Sequence, residues 1–268
     1  MQRRHRRVRR PRGRVALVTA VESETDDVQP GDRAVVSPEG DRTDPSARDT
    51  LPDALLDEVA EVATSCARSG KTAIREVETD GGQVRLFVGG LEPPAELLVF
   101  GGQPDTAPVV RLARDVGFEV TVATARGGLA EPERFPGAEE VVAVNPTDLP
   151  GLVDERTHVV LMSHNLIDDE LALEALADTE APYVGLMGPR KRFEEIRSDL
   201  EEDGVDLPES FLDRVATPVG LDLGGGAPME IALSVVSEVL AVENDREGGR
   251  LRDREGPIHG ERTHVTGE

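Results

Sequence analysis

The stretch Leu97–Thr124, LLVFGGQPDTAPVVRLARDVGFEVTVAT, decides the fold. Leu97 to Phe100 form an apolar run that stops at Gly101 and Gly102, the pattern of a strand entering a turn. Asp105 to Val116 then reads as a helix closed by Gly117. FEVTVAT, Phe118–Thr124, is the next strand. A strand, a helix and a second strand within so few residues make a βαβ unit, which requires parallel pairing and a right-handed crossover.

Further along, the rhythm repeats. EEVVAV (Glu139–Val144) and HVVLMS (His158–Ser163) are strands, and the continuous apolar run of the second predicts a sheet covered on both faces. A helix is expected over Asp168–Ala177, a strand at YVGLM (Tyr183–Met187) and a helix over Pro189–Asp203. The last helix, Pro228–Val242, places Ile231, Val235, Val239 and Val242 on one face. The order predicts a Rossmann-like parallel α/β domain over residues 95–243, with a charged, glycine-rich tail over 244–268 read as disordered.

Before Glu92-Pro93-Pro94 the texture differs. VALVTAV (Val15–Val21) and Ala34–Ser37 read as strands, and residues 38–50 as loop. A helix from Pro52 to Gly70 carries Leu55, Val59, Val62 and Cys66 on one stripe, which turns the thiol toward the core. AIREV and VRLFV flank Asp80-Gly81-Gly82 as a hairpin. Residues 14–92 are therefore expected to be a smaller α/β domain. Residues 1–13 are read as a disordered basic extension, not an arm for nucleic acid.

Among 268 residues, 53 acids face 30 Lys and Arg, for a net charge of −23, and Lys occurs only at positions 71 and 191. Such an acidic, lysine-poor surface looks halophilic and repels nucleic acid and anionic membranes. The only cysteine, Cys66, excludes an internal disulfide and a Cys-based metal cluster. No apolar run reaches the length of a membrane span. A cytoplasmic protein is expected, with no nucleic-acid or membrane partner.

Four places carry candidate chemistry. The turn after the first Rossmann strand, FGGQPDTAP, has Gly101 and Gly102, but Gln103 and Thr106 stand where a dinucleotide fingerprint needs glycine. Thr124, followed by Ala125 and Arg126, replaces the acid that would hold ribose hydroxyls. Free N–H groups at the helix start still suit an anion; a tight turn capped by Asp105 or Thr106 is the structural alternative. In Gly188-Pro-Arg-Lys-Arg192, Arg190, Lys191 and Arg192 oppose the helix dipole by about 0.3–1 kcal/mol each. An anionic ligand or pairing with Glu194 and Glu195 would offset that cost. Ser163 and His164 end a central strand, where ligands bind in open α/β sheets. VGLDLGGGAP places Gly220, Asp222 and Gly224 before the last helix.

Together VFGGQPDTAPVVRLARDVGFEVTVATAR, THVVLMSHNLIDDELALEAL, YVGLMGPRKR and PVGLDLGGGAPMEIALSVVSEVLA resemble the xanthine dehydrogenase accessory family, XdhC/CoxI. The resemblance implies a cytoplasmic accessory factor that binds molybdenum cofactor (molybdopterin) and delivers it, sulfurated, to a molybdenum hydroxylase of xanthine dehydrogenase or CO dehydrogenase type. It further implies a cysteine desulfurase as a second partner, a homodimer, and a maturation role, not turnover. Carried over by position, the binding residues are Gly101, Gly102, Asp105, Arg126, Ser163, His164, Gly188, Arg190, Lys191, Arg192, Gly220, Asp222 and Gly224, with no metal ligand. The family's Gly-Gly-Cys-Val-Glu and Gly-Cys-Gly stretches have no counterpart, which bears on sulfur handling. Two other readings remain: an NAD(P)-dependent oxidoreductase using the same crevice, with Arg126 toward NADP(H), and a degenerate member that only binds protein.

Overall fold

The computed structural model describes residues 13–43, 50–253 and 255. The basic extension, part of the 38–50 loop and most of the C-terminal tail lie outside the described residues. Two compact units divide at Pro93/Pro94.

In the first unit, β1 (Val15–Ser23), β2 (Arg33–Val36), β3 (Thr72–Thr79) and β4 (Gly82–Leu91) form an antiparallel sheet ordered β2-β1-β4-β3. Period-two burial puts Ala16, Val18 and Ala20 of β1, and Val84, Leu86 and Val88 of β4, on one face. The helix α1 (Asp53–Ser69) packs its Leu55, Val59, Ala63, Cys66 and Ala67 there and ends at Gly70 in the left-handed region. Val62 sits at the edge of the stripe, only partly buried. Burial pushes the Cys66 thiol above its ordinary range, so it is a core group.

The second unit is a mixed α/β body with a six-stranded parallel sheet of the Rossmann type. Its strands are β5 (Glu96–Phe100), β6 (Glu119–Thr124), β7 (Glu140–Ala143), β8 (Thr157–Leu161), β9 (Val184–Leu186) and β10 (Val215–Ala216), ordered β10-β9-β8-β5-β6-β7. All five residues of β8 are buried, the polar Thr157 and His158 with the apolar Val159, Val160 and Leu161, as in a strand covered on both faces. One face is covered by α2 (Thr106–Asp115) and α6 (Pro228–Glu243), and the other by α3 (Leu166–Leu176) and α4 (Arg190–Glu202) with the short α5 (Glu209–Leu212).

Three details depart from the sequence reading. Helix α3 starts at Leu166, two residues before Asp168, because the Asn165 side chain accepts from the Ile167 and Asp168 N–H groups at 3.0 and 3.3 Å. On α6 the buried face is Ala232, Val235, Val236 and Val239, whereas Ile231 and Val242 are exposed. The edge strand β10 and α5 were not anticipated from the sequence, being two and four residues long.

Candidate functional site

From β5 the chain runs outward through β6 and β7, then crosses to β8 on the opposite side of β5 and runs outward through β9 and β10. The loops leaving β5 and β8 therefore diverge at the carboxyl ends of adjacent strands, and a crevice opens between them. It opens to solvent, and the space of about 250 Å³ over its lining includes the solvent at its mouth. The β5–α2 turn contributes Gly101, Gly102 and Gln103; the β6 end contributes Thr124, Arg126 and Leu129; Ser163 and Asp168 form the third side.

Both glycines are there because three strand ends meet. A Cβ on Gly101 would lie 2.5 Å from the Met162 carbonyl oxygen, and one on Gly102 would lie 2.9 Å from both Thr124 Oγ1 and Leu129 Cβ. The Gly101 N–H donates to the Ala123 carbonyl at 2.9 Å, but the N–H groups of Gly102 and Gln103 find no acceptor among the described residues. Thr124 is buried, and its hydroxyl accepts the Arg126 N–H at 3.2 Å, so it shapes the turn. The Arg126 guanidinium is exposed at the crevice and pairs with no acid among the described residues.

On the β8 side a buried polar chain lies behind the crevice. Asp169, 1% exposed on α3, accepts from Arg192 Nη2 at 2.6 Å and Nε at 3.1 Å on one oxygen. Its other oxygen accepts the Ser163 hydroxyl at 2.5 Å. The Arg192 side chain reaches this partner by passing over Gly188, where φ is +124° and an added Cβ would lie 2.9 Å from Arg192 Cδ. The three basic residues therefore divide. Arg192 is committed to Asp169, while Arg190 and Lys191 are exposed in the first turn of α4. The alternative to a ligand, pairing of Arg190 with Glu194 and of Lys191 with Glu195, does not occur among the described residues.

His164 takes φ +60°, a costly conformation for a non-glycine residue. Its Nε2 lies 2.7 Å from Asp105 Oδ2, which ties the β8 loop to the β5–α2 turn. Asp105 stands at the helix start, yet its side chain makes no capping bond.

Gly220, Asp222 and Gly224 occupy the segment between β10 and α6. The Gly220 N–H donates to Glu238 Oε2 at 2.7 Å, and the same oxygen accepts the Tyr183 hydroxyl. Burial and that carboxylate together push the phenol far above its ordinary range. Asp222 and Gly224 are exposed. Of the thirteen expected residues, the structure brings Gly101, Gly102, Arg126 and Ser163 to the crevice lining, and ties His164 and Asp105 together beside it. Gly188, Arg190, Lys191, Arg192, Gly220, Asp222 and Gly224 are not in that lining.

Asp168 and Asp169 were missed by the sequence reading, although Asp169 carried a signal. It shares the spacing of the buried Ala172, Leu173 and Leu176, three, four and seven residues on. A carboxylate on the buried stripe of a helix needs a cation or donors.

Strand order and crevice define a doubly wound α/β domain of the Rossmann type. The model of the XdhC Rossmann domain matches residues 97–239, over half of the chain, and the protein belongs to the XdhC family. It is 31% identical over 157 residues to a probable xanthine dehydrogenase subunit of Bacillus subtilis (strain 168), covering 58% of this chain and 45% of the relative. It is 29% identical over 194 residues to the uncharacterized protein YqeB of Escherichia coli (strain K12), covering 69% and 34%. The chain thus spans less than half the length of these curated relatives. A crystal structure of a xanthine dehydrogenase from Bacillus halodurans shares the fold, with a TM-score of 0.54, 17% identity and coverage of 88% and 94%.

Proposed function

We propose that this protein is an accessory factor for molybdenum hydroxylases of the xanthine dehydrogenase type, holding molybdenum cofactor by its phosphate end in the β5/β8 crevice and passing it to the apoenzyme. Family membership supports the general role. The observation that carries the site is that Gly102 and Gln103, whose N–H groups have no acceptor among the described residues, line the same crevice as Arg126, which has no acidic partner among them. Donors fixed at a helix start, with a guanidinium opposite, suit a phosphate.

The residues present fit that end of the cofactor. The crevice opens to solvent, so a phosphate held at its lining would leave the rest of the cofactor outside. Bound there, the group would supply the molybdenum centre of the client; this chain's part is to bind and release. Nicotinamide chemistry is disfavoured by Thr124, whose hydroxyl is used by its own turn. Direct sulfur transfer is disfavoured by the buried Cys66, whose raised pKa keeps it a thiol.

The test is to purify the full chain from cells that make molybdenum cofactor, identify the bound ligand by mass spectrometry, and add the complex to an apo-hydroxylase. A bound phosphorylated pterin and recovered hydroxylase activity are expected. A chain free of pterin that reconstitutes nothing, or one carrying NADP(H), would overturn the reading.

A further inference from the structure

Two loops leaving adjacent strands border the crevice, and one side-chain bond joins them. His164 Nε2 lies 2.7 Å from Asp105 Oδ2, across 59 residues of chain. An ionised carboxylate accepts only, so Nε2 carries the hydrogen. Both ends of the bond adjoin lining residues, Ser163 directly before His164 and Gln103 two positions before Asp105, yet neither His164 nor Asp105 lines the crevice itself.

Stability alone does not account for this contact. Half-exposed on the histidine side, the pair adds little to the fold. His164 holds φ +60° to make it. Asp105 stands at the start of α2 without capping it, and its Oδ1 is buried with no hydrogen-bond partner among the described residues. The adjacent Thr106 has no exposed surface, and its hydroxyl also lacks a partner among them. Folded proteins rarely leave buried polar groups unmet, and backbone strain collects beside functional sites. A carboxylate so near an anion site also opposes the anion by charge, so its contribution there has to be geometric.

We propose that the His164–Asp105 bond fixes the spacing of the two loops, which makes His164 and Asp105 positioning residues for the anion site and not ligand contacts, a role that rests on the phosphate site proposed above. With the bond in place, the Gly102 and Gln103 N–H groups keep their position relative to the β8 loop. Without it, the ligand has to order both loops as it binds.

The experiment is titration of the full chain and its variants with inorganic phosphate and with a phosphorylated pterin, beside a melt of each variant. Asp105→Asn removes the charge but keeps an acceptor for Nε2, and it should bind both probes more tightly. Asp105→Ala removes the same charge together with the bond. Its affinity should fall roughly fivefold, the cost of ordering a side chain or two on binding. His164→Asn tolerates the positive φ but is too short to reach Asp105, and it should weaken binding at least as much. The double variant His164→Asn with Asp105→Ala should bind no worse than His164→Asn alone, because both changes break one bond. Asp105→Ala binding as tightly as Asp105→Asn, or an additive double variant, overturns the positioning role while leaving the phosphate site standing. If Asp105→Ala does not fold, His164→Asn against Asp105→Asn decides by the same criterion. If Arg126→Gln changes neither probe, or wild type binds neither saturably, the phosphate site itself fails.

Discussion

Replacing Arg192 with Gln separates a positioning role from direct ligand contact. The guanidinium makes two short hydrogen bonds to one oxygen of a carboxylate that is 1% exposed, while Arg192 itself keeps 24% of its side-chain surface. Removing one partner of a buried pair costs about 3–5 kcal/mol because the remaining charge is stranded. Water reaching the half-open arginine site puts this case at the low end. Relief of the α4 dipole returns roughly 0.3–1 kcal/mol. The net loss is about 2–3 kcal/mol, and at roughly 2–4 °C per kcal/mol for a body of this size the midpoint should fall about 4–12 °C. Arg190→Gln is the control: Arg190 has the same charge and helical turn but no ion partner among the described residues, and the variant should melt within a degree or two of wild type. A further variant, Arg192→Met with Asp169→Leu, should recover much of the loss because neither charge remains buried. Calorimetry of the three variants at one salt concentration measures all of this. Equal melting of Arg192→Gln and Arg190→Gln would refute the buried-pair argument.

Three other outcomes are expected. His158 on β8 is buried against Phe118 and Tyr183; desolvation lowers its pKa, and the half-exposed Glu243 at 3.6 Å does not offset that. The unfolded chain therefore takes up this proton first, and stability should fall as pH drops below about 6.5; His158→Gln should flatten that slope between pH 7.5 and 5.5, and an unchanged slope counts against it. With a net charge of −23, the melting midpoint should rise between 0.1 and 1 M salt as the Debye length shrinks from about 10 to 3 Å, and a flat profile would contradict the self-repulsion argument. Cys66 should resist alkylation in the native protein and react on unfolding, as tracked by mass spectrometry; rapid native labelling would place it outside the core.

Most of the second unit could be read from its sequence because apolar residues dominate its longer strands and turn residues punctuate its helices. LLVF and HVVL left no other reading. The face of α6 was misjudged for a physical reason: the helix is apolar nearly all round, so spacing from Val235 and Val239 admitted Ile231 and Val242 as readily as the Ala232 and Val236 that are actually buried. At the crevice, Gly101, Gly102, Arg126 and Ser163 could be placed because strand ends in a parallel sheet converge by topology. The partner of Arg192 could not. Local spacing offered Glu194 to Arg190 and Glu195 to Lys191 but nothing to Arg192, whose partner lies on another helix and is brought near only by the packing of α3 against α4.

Sheet order also governs how this unit is assembled in time as it leaves the ribosome. β5 is the first of its strands to be synthesised, yet it ends up at the sheet's centre. Once β6 and β7 are in place, one edge of Leu97–Phe100 is satisfied and the other stays open until Thr157–Leu161 has been made. All four side chains of that segment are buried in the finished protein, and an open apolar edge recruits other nascent chains. The chain made during the wait carries Glu131, Glu133, Glu139, Glu140, Asp148, Asp154 and Glu155. Within that stretch only Arg126, Arg134 and Arg156 oppose these acids before Thr157, so neighbouring nascent chains at this stage carry like net charge, which works against edge-to-edge association.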